Sequence, residues 1–189
     1  NDGRWGLATA NGSVVIPCEY DRISTYGGVA ITKKGTTFTA VNSDNNRYAL
    51  SHAEITDFGN LNDDRIGVKT SEGWRLANGD FAIGELLVEE MGMYSNGFIP
   101  AKKNGKWGFI DTAGELKIDY QFDDALSFGQ HLAAVQKGRY WGYISLAGKM
   151  VISADFLEAK SFSDGSAPVK TADGWRFITL VEYQKEVGI

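Results

Sequence analysis

The residues of this chain that could carry acid–base chemistry are paired carboxylates. Two carboxyl groups that flank a glycosidic bond can hydrolyse it. A catalytic pair normally occurs once, whereas the acidic pairs of this chain recur at matching places. We therefore expect these side chains to cap turns and strands, and we predict that the chain is not an enzyme. The pairs are Glu19 with Asp21, Asp123 with Asp124, and Asp155 with Glu158.

Metal and nucleophile chemistry has little support in the sequence. Neither His52 nor His131 has a second histidine or a cysteine at a metal-ligand spacing, and Cys18 is the only cysteine. We interpret His131 as a loop residue that tolerates a left-handed backbone and His52 as a surface strand residue. Residues 42–46 resemble a calcium loop but lack its closing glutamate. We predict no metal site, no cofactor and no catalytic serine.

Aromatic side chains are the best candidates for contact with a ligand or partner. We expect Tyr94, Tyr140 and Tyr143 to be partly exposed and able to stack on sugar rings or on a peptide. Residues 42–95 depart most from the repeat described below, and functional sites often break local rules. We therefore place a recognition site in that segment. The predicted contact residues are Tyr48, Asp63, Asp64, Tyr94, Tyr140 and Tyr143.

The composition argues against two classes of partner. The net charge is −5 and no basic cluster occurs, which argues against nucleic acid because phosphates require a basic stripe. The longest apolar stretch, residues 81–91, is interrupted by a glycine and three glutamates, so it does not resemble a membrane span. With 43% hydrophobic residues, the chain can bury a core.

An internal repeat must position these residues. The tryptophans recur at a spacing of about 34 residues, and Phe38 stands where one is missing. Eleven residues after the tryptophan comes an isoleucine, as at Ile118, and fifteen residues after it a phenylalanine or tyrosine, as at Phe122. Six units of this length account for the chain. The tryptophans are Trp5, Trp74, Trp107, Trp141 and Trp175.

Each unit predicts short strands joined by tight turns. A strand begins at Trp107, a glycine turn follows, and a return strand carries Leu116 and Ile118 on one face. An Asn-Gly or similar turn precedes the tryptophan, and a strand such as residues 132–135 precedes that turn. Residues 124–128 predict a further short strand that ends in a buried aromatic.

The Trp-Gly pair predicts a packing role. Adjacent side chains of a strand face opposite ways, so we expect the indole to fill the core face and the glycine to allow close approach on the other. We expect Trp107→Ala to cost about 3–5 kcal/mol on that basis. Trp74 and Trp175 are followed by arginine instead of glycine, so we expect those units to be more exposed. Residues 84–93 are interpreted as an insertion or a modified strand.

At these residues the chain resembles the WG-repeat family, also called KWG repeats, of bacterial β-repeat proteins. The fourth unit follows the family pattern from the Gly-Lys-Trp-Gly segment at Gly105 through Phe122-Asp123 to the strand at residues 132–135. The second and third units are degenerate. The resemblance implies a β-repeat architecture and says little about function.

We therefore predict an all-β chain of about six tandem antiparallel β-meander repeats, stacked as an open β-solenoid or a propeller-like assembly. The expected function is a non-catalytic binding or scaffold module that contacts a protein partner through the repeat-built surface. The alternative is a cell-envelope carbohydrate- or peptidoglycan-binding domain. Because the chain begins with Asn1, we expect a processed product or an excised part of a longer protein. A periplasmic or cell-surface bacterial protein is favoured, and a cytoplasmic protein is the alternative. The approximate units are 1–29, 30–62, 63–96, 97–130, 131–164 and 165–189.

Overall fold

The computed structural model describes residues 3–26, 29–41, 46–49, 55–62, 65–77 and 83–183. These residues form short β-strands and a 3₁₀ helix, Leu180–Tyr183, with no α-helix among them. The predicted all-β class is therefore confirmed. The chain divides into two compact units, residues 1–87 and residues 88–189, which are described separately.

The first unit contains three antiparallel sheets in its described residues. The first sheet pairs β1 (Trp5–Ala8) with β2 (Val14–Tyr20). The second runs β3 (Arg22–Tyr26), β4 (Val29–Lys34), β5 (Thr37–Val41) and β6 (Arg47–Ala49). The third runs β7 (Asp57–Asn62), β8 (Arg65–Lys69) and β9 (Trp74–Ala77).

The second unit also contains three antiparallel sheets in its described residues. The fourth sheet of the chain runs β10 (Glu90–Met91), β11 (Ile99–Lys103), β12 (Lys106–Ile110) and β13 (Leu116–Phe122). The fifth runs β14 (Asp124–Ala125), β15 (Leu132–Lys137), β16 (Tyr140–Ser145) and β17 (Met150–Phe156). The sixth runs β18 (Glu158–Ala159), β19 (Ser166–Thr171) and β20 (Gly174–Thr179).

Each sheet is a meander in which consecutive strands pair. The strand that precedes the tryptophan strand is the most deeply buried, and Leu132 to Val135 of β15 are fully buried on both faces. The short strand predicted at residues 124–128 is present as β14, and Phe128 beyond it is buried. Residues 84–93 contain the short strand β10 rather than a helix, which confirms a modified strand.

Tight turns join the strands where the sequence predicts them. Asn104 and Gly105 both have positive φ, of 52° and 72°, as the two central residues of a tight hairpin turn require. Gly138 occupies the corresponding turn of the next sheet at a φ of 64°. His131 has a φ of 69°, which confirms its interpretation as a loop residue in the left-handed region.

The glycine of the Trp-Gly pair faces a bulge in the next strand. Trp107 lies opposite Phe122 and Phe109 lies opposite Ile118, so three residues of β13 face the single residue Gly108. A Cβ on Gly108 would lie 2.6 Å from the carbonyl oxygen of Ile118. The pairs β1–β2 and β16–β17 have the same register shifts. The predicted close approach at this glycine is confirmed, and a β-bulge is its cause.

The expected burial of the tryptophans is wrong in detail. Trp107 is only partly buried, whereas Phe109, two residues later on the same face of β12, is fully buried. Tyr143 occupies the position of Phe109 in β16 and is also fully buried. Trp175 is 51% exposed, as expected for a unit in which arginine follows the tryptophan, but Trp5, which glycine follows, is 60% exposed. Trp74, which arginine follows, is partly buried, so the expectation holds for Trp175 alone. In the fourth and fifth sheets, the residue two places after the tryptophan therefore fills the core.

Successive sheets of the second unit stack through this core residue. The Phe109 ring lies 5.0 Å from the ring of Phe128, and the Tyr143 ring lies 5.0 Å from that of Phe162. Serines one repeat apart add hydrogen bonds between sheets, because Ser161 Oγ donates to the backbone carbonyl of Ser127 at 3.2 Å. Stacking buries faces that no single sheet could bury alone.

Replacing Gly108 with alanine should destabilise the fourth sheet. The new methyl group would meet backbone atoms of the bulge, which cannot move without breaking the strand pairing. We expect a loss of about 1–3 kcal/mol or more, as for overpacked sites, measured by chemical denaturation. Thr39→Ala, at the corresponding position of β5, is the control and should cost less than about 1 kcal/mol. Equal denaturation midpoints for wild type and Gly108→Ala would contradict the close approach.

Phe109→Ala should destabilise the chain more than Trp107→Ala. Removing the fully buried ring of Phe109 leaves a cavity between the fourth and fifth sheets and should cost about 3–5 kcal/mol. Trp107→Ala removes a partly buried indole, so it should lower the free energy of unfolding by less than the value of about 3–5 kcal/mol expected from the sequence. Denaturation of both variants gives the comparison. A larger loss for Trp107→Ala would show that the tryptophan is the main core residue.

Candidate interaction surface

The predicted contact residues do not converge on one site. Asp63 and Asp64 lie outside the described residues, and for Tyr48 the structure describes only the backbone, in β6 opposite Ala40. Tyr94 is half-buried between β10 and β11. Tyr140 begins β16 and is 43% exposed. Of the described candidates, Tyr140 has the greatest exposure.

The expectation that Tyr143 is partly exposed is wrong. Its side chain is fully buried, and its hydroxyl donates a hydrogen bond of 2.8 Å to the backbone carbonyl of Lys160. Burial raises the pKa of this hydroxyl well above its ordinary value. Tyr143 belongs to the stacking interface because it occupies the same repeat position as Phe109. Comparison of these two positions in the sequence could have placed it there.

The recurring acidic residues hold turns and strand ends, as predicted. Asp123 pairs with Lys106 and accepts the backbone N–H of Gly138 at 2.6 Å. Asp21 accepts the N–H of the turn glycine Gly35, also at 2.6 Å. The ammonium of Lys106 and the amide of Gly138 hold the pKa of Asp123 below its ordinary value. Each of these carboxylates therefore has a structural partner.

A lysine lies over the aromatic ring in several sheets, a feature that the sequence analysis missed. Lys102 faces Trp107 directly across β11 and β12, and its ammonium lies 5.9 Å from the ring centroid. Lys102 also pairs with Glu90 at 2.6 Å, which raises its pKa. Lys170 has the same arrangement, with Trp175 at 5.9 Å and Glu158 at 2.6 Å. Such cation–π contacts stabilise the partly exposed ring.

The sixth sheet exposes aromatic side chains on one face. Phe177 is 70% exposed and Trp175 is 51% exposed, and both point to the same side of β20. Pro168 of β19 lies directly opposite Phe177, and Lys170 lies opposite Trp175, so they share this side. We call Pro168, Trp175 and Phe177 the β20 aromatic face.

The sequence pattern alone does not predict the exposure of Phe177. Phe177 occupies the repeat position of Phe109 and Tyr143, both of which are fully buried. Arg176 replaces the glycine found next to the tryptophan in β12 and β16. The same replacement at Arg75 leaves Leu76 only 6% exposed, so the arginine does not by itself predict the exposure of Phe177. That substitution marks a sheet whose outer edge is built differently.

Neither a metal cluster nor a membrane-spanning helix occurs among the described residues. In the described part of the chain, no three histidine, cysteine, aspartate or glutamate side chains lie together as a metal site would require. Among the same residues, the structure contains no helix of the length and apolarity that crossing a membrane demands.

Similar solved structures support a propeller-like fold. Hsv2 of Kluyveromyces lactis with its complete loop 6CD is 12% identical with a TM-score of 0.51, and the match covers 80% of this chain and 56% of that one. Another structure of Hsv2 from the same yeast is 13% identical with a TM-score of 0.50, covering 80% and 57%. This chain thus spans little more than half the length of those structures. At this identity the likeness concerns the fold alone.

A weaker likeness links the chain to a bacterial surface protein. PorZ, an essential bacterial surface component of the type-IX secretion system of Porphyromonas gingivalis, is 13% identical with a TM-score of 0.44. The match covers 90% of this chain and 27% of PorZ. No curated protein matches the chain in sequence.

The repeats themselves match a family model in four segments. The model of the WG containing repeat matches residues 5–35, 85–107, 107–140 and 141–175, which together make up well over half of the chain. These segments contain Trp5, Trp107, Trp141 and Trp175 and the bulged strands that follow the first three of them. The chain belongs to the family of WG containing repeat proteins.

Proposed function

We propose that this chain is a non-catalytic binding module that recognises a protein partner through its repeat-built surface, with the β20 aromatic face as the main contact. The observation that carries this proposal is the exposure of Trp175 and Phe177 side by side on one sheet. Large aromatic side chains that are exposed together commonly mark sites of interaction.

The form of this face favours a protein partner. Trp175 and Phe177 project from a strand, and Pro168 beside them adds a third apolar side chain on the neighbouring strand. A face of a β-sheet offers a broad apolar surface, and protein interfaces are enriched in tryptophan and phenylalanine at their centres. Val181 in the following 3₁₀ helix is also exposed, at 73%.

The structural use of the acidic residues supports a role without catalysis. Glu158 pairs with Lys170, Glu19 pairs with Lys34, and Asp123 pairs with Lys106. In each case the neighbouring cation holds the pKa of the carboxyl below its ordinary value. A general acid needs a raised pKa in order to stay protonated near neutral pH. These carboxyl groups are therefore poor candidates for that task.

Asp123→Asn tests this structural role through its pH dependence. Because the pKa of Asp123 is lower in the folded chain, its stabilising effect is present above about pH 4, the ordinary aspartate value, and is lost as pH falls through the folded pKa. We expect a lower denaturation midpoint for the variant at pH 7, and a difference that shrinks below about pH 4. Asp173→Asn is the control, since that exposed side chain makes no ion pair among the described residues. A difference that does not depend on pH would contradict the assignment.

The binding proposal is tested by affinity capture. The purified chain is incubated with bacterial envelope protein extract, and separately with insoluble peptidoglycan, and bound material is identified by mass spectrometry and by pelleting. We expect one protein to be enriched, and this enrichment to be lost in the double variant Trp175→Ala, Phe177→Ala. Met93→Ala, which removes a side chain that is 62% exposed elsewhere in the same unit, is the matched control.

The other outcomes distinguish the remaining possibilities. Sedimentation with peptidoglycan that free sugars compete away would favour the carbohydrate-binding alternative. Capture of a protein that does not depend on Trp175 and Phe177 would move the site elsewhere. Tyr48, Asp63, Asp64, Tyr94 and Tyr140, which stay predictions, would then be the residues to substitute.

A further inference from the structure

The outer edge of β20 differs from that of its counterparts. The tryptophan strands β12 and β16 and the phenylalanine strand β5 are each followed by a fourth strand, namely β13, β17 and β6. Among the residues that the structure describes, no strand pairs with β20 on the side away from β19. An unpaired edge presents backbone N–H and C=O groups that another strand can use.

The exposure of the side chains on β20 follows from what is missing around them. In the fourth sheet, Phe122 of the fourth strand lies opposite Trp107 and Ile118 lies opposite Phe109. In β20, no described strand supplies such side chains to Trp175 and Phe177, and no described residue covers Phe177 as Phe128 of the next sheet covers Phe109. Ile178 on the other face of β20 is nevertheless 1% exposed, so the strand is firmly packed against the preceding sheet. The space that is open around β20 is therefore confined to its outer edge and to the face that carries Trp175 and Phe177.

The residue after the tryptophan determines the kind of strand that can pair with this edge. Gly108 and Gly142 face bulged strands, and a Cβ at either position would meet the backbone of the bulge. β5 has Thr39 at this position, and its fourth strand pairs with it without a register shift. β20 has Arg176 there. A strand that pairs with β20 must therefore be regular rather than bulged.

The third sheet shows how an arginine at this position is used. Arg75 follows Trp74 and donates to the backbone carbonyl of Glu85 at 3.0 Å and to the carboxylate of Glu72 at 2.9 Å. The segment that contains Glu85 runs along the outer edge of β9, where the N–H of Gly84 donates to the carbonyl of Leu76 at 2.7 Å. The arginine thus binds both a carboxylate and the backbone of the segment that covers the edge.

Arg176 has neither kind of partner among the described residues. Its guanidinium carbon lies 5.9 Å from the ring centroid of Phe156, at the border of the preceding sheet. The face of β20 that carries Trp175 and Phe177 is therefore apolar, and the opposite face carries at Arg176 a cation with no carboxylate partner among the described residues. A ligand that complements both faces needs two apolar side chains and one carboxylate.

We infer that the outer edge of β20 binds an extended segment of a partner protein as a fourth, regular antiparallel strand. The core of that segment is an aliphatic residue, an acidic residue and an aromatic residue in this order. In an antiparallel pair these lie opposite Phe177, Arg176 and Trp175, as Ile118 and Phe122 follow one another opposite Phe109 and Trp107. This inference rests on the proposed function and specifies the partner's chemistry. Strand addition of this kind takes its affinity from main-chain hydrogen bonds and its specificity from alternate side chains.

The test uses a fluorescently labelled peptide with an Ile-Glu-Phe core flanked by threonine and valine. Fluorescence anisotropy with the full chain should show saturable binding. Phe177→Ala should weaken that binding at least about tenfold, whereas Met93→Ala should leave it unchanged. A peptide with an Ile-Lys-Phe core should bind more weakly, and Arg176→Glu should reverse the preference between the two peptides. Equal binding of the two peptides by wild type would overturn the charge assignment.

Backbone methylation tests whether the peptide pairs as a strand. Two versions of the peptide carry N-methyl groups on alternate residues, so that only one version blocks the N–H groups that face β20. We expect that version alone to lose binding. If both versions bind as well as the parent peptide, strand addition is wrong.

A separate experiment tests whether Arg176 excludes a bulged strand from the edge of β20. A peptide with the sequence of β13, Leu-Lys-Ile-Asp-Tyr-Gln-Phe, should bind Arg176→Gly and not the wild type. Binding of this peptide by wild type would show that Arg176 does not exclude a bulged strand.

If affinity capture depends on Trp175 and Phe177 but no peptide binds, the binding proposal is supported and strand addition is wrong. If capture does not depend on these residues either, both proposals fall.

Discussion

The close approach of one glycine to a bulged neighbouring strand shapes much of this fold. At Gly6, Gly108 and Gly142 an added Cβ would lie within 3 Å of backbone atoms in the strand that follows. The bulge places three residues of that strand opposite one. This register brings its isoleucine opposite the residue two places after the tryptophan, and its phenylalanine or tyrosine opposite the tryptophan itself. The spacing of conspicuous residues within a unit is therefore a consequence of strand register. A side chain at the glycine would force the fourth strand into another register or away from the sheet.

This register in turn allows one sheet to stack on the next. The isoleucine and the aromatic residue of the fourth strand lie beside Phe109 or Tyr143. Together they form one continuous apolar face of the sheet. The next sheet covers that face with a buried phenylalanine, Phe128 or Phe162, and with the alternate residues of its second strand. The hydroxyl of Tyr143 is satisfied within this interface by a backbone carbonyl, so its burial leaves no polar group unpaired. The tryptophan lies nearer the solvent, where a lysine from the adjacent strand covers it in several sheets.

Much of this architecture could be predicted from the sequence, because residues at equivalent positions of the repeats can be compared with one another. Gly105 and Gly138 mark the same turn, and Phe128 and Phe162 mark the same buried position. Which of two apolar residues on the same face of a strand is more deeply buried could not be predicted in this way. Trp107 and Phe109 are both apolar and lie on the same face, and only the position of the next sheet determines which of them is covered. The lysine–tryptophan contacts were missed because they depend on cross-strand register, which a hydrophobic pattern does not fix.

The two units in which arginine follows the tryptophan show how a departure from the repeat changes the outer edge of a sheet. Arg75 and Arg176 occupy the position where glycine admits a bulged strand, and neither β9 nor β20 is followed by such a strand among the described residues. Around Arg75, the edge is covered by a short segment that hydrogen-bonds to the arginine and to the strand. Around Arg176, exposed aromatic rings on one face of the strand accompany a cation that has no carboxylate partner among the described residues. Glycine at this position allows a bulged strand to pair with the edge. A larger residue there excludes the bulged strand, so that a different kind of strand can pair instead. Among the described residues of this chain, the residue after the tryptophan therefore distinguishes two kinds of sheet. The sheets with glycine there are completed by a bulged strand, whereas the sheets of β5, β9 and β20, with threonine or arginine there, have a regular fourth strand, a short covering segment or an unpaired edge.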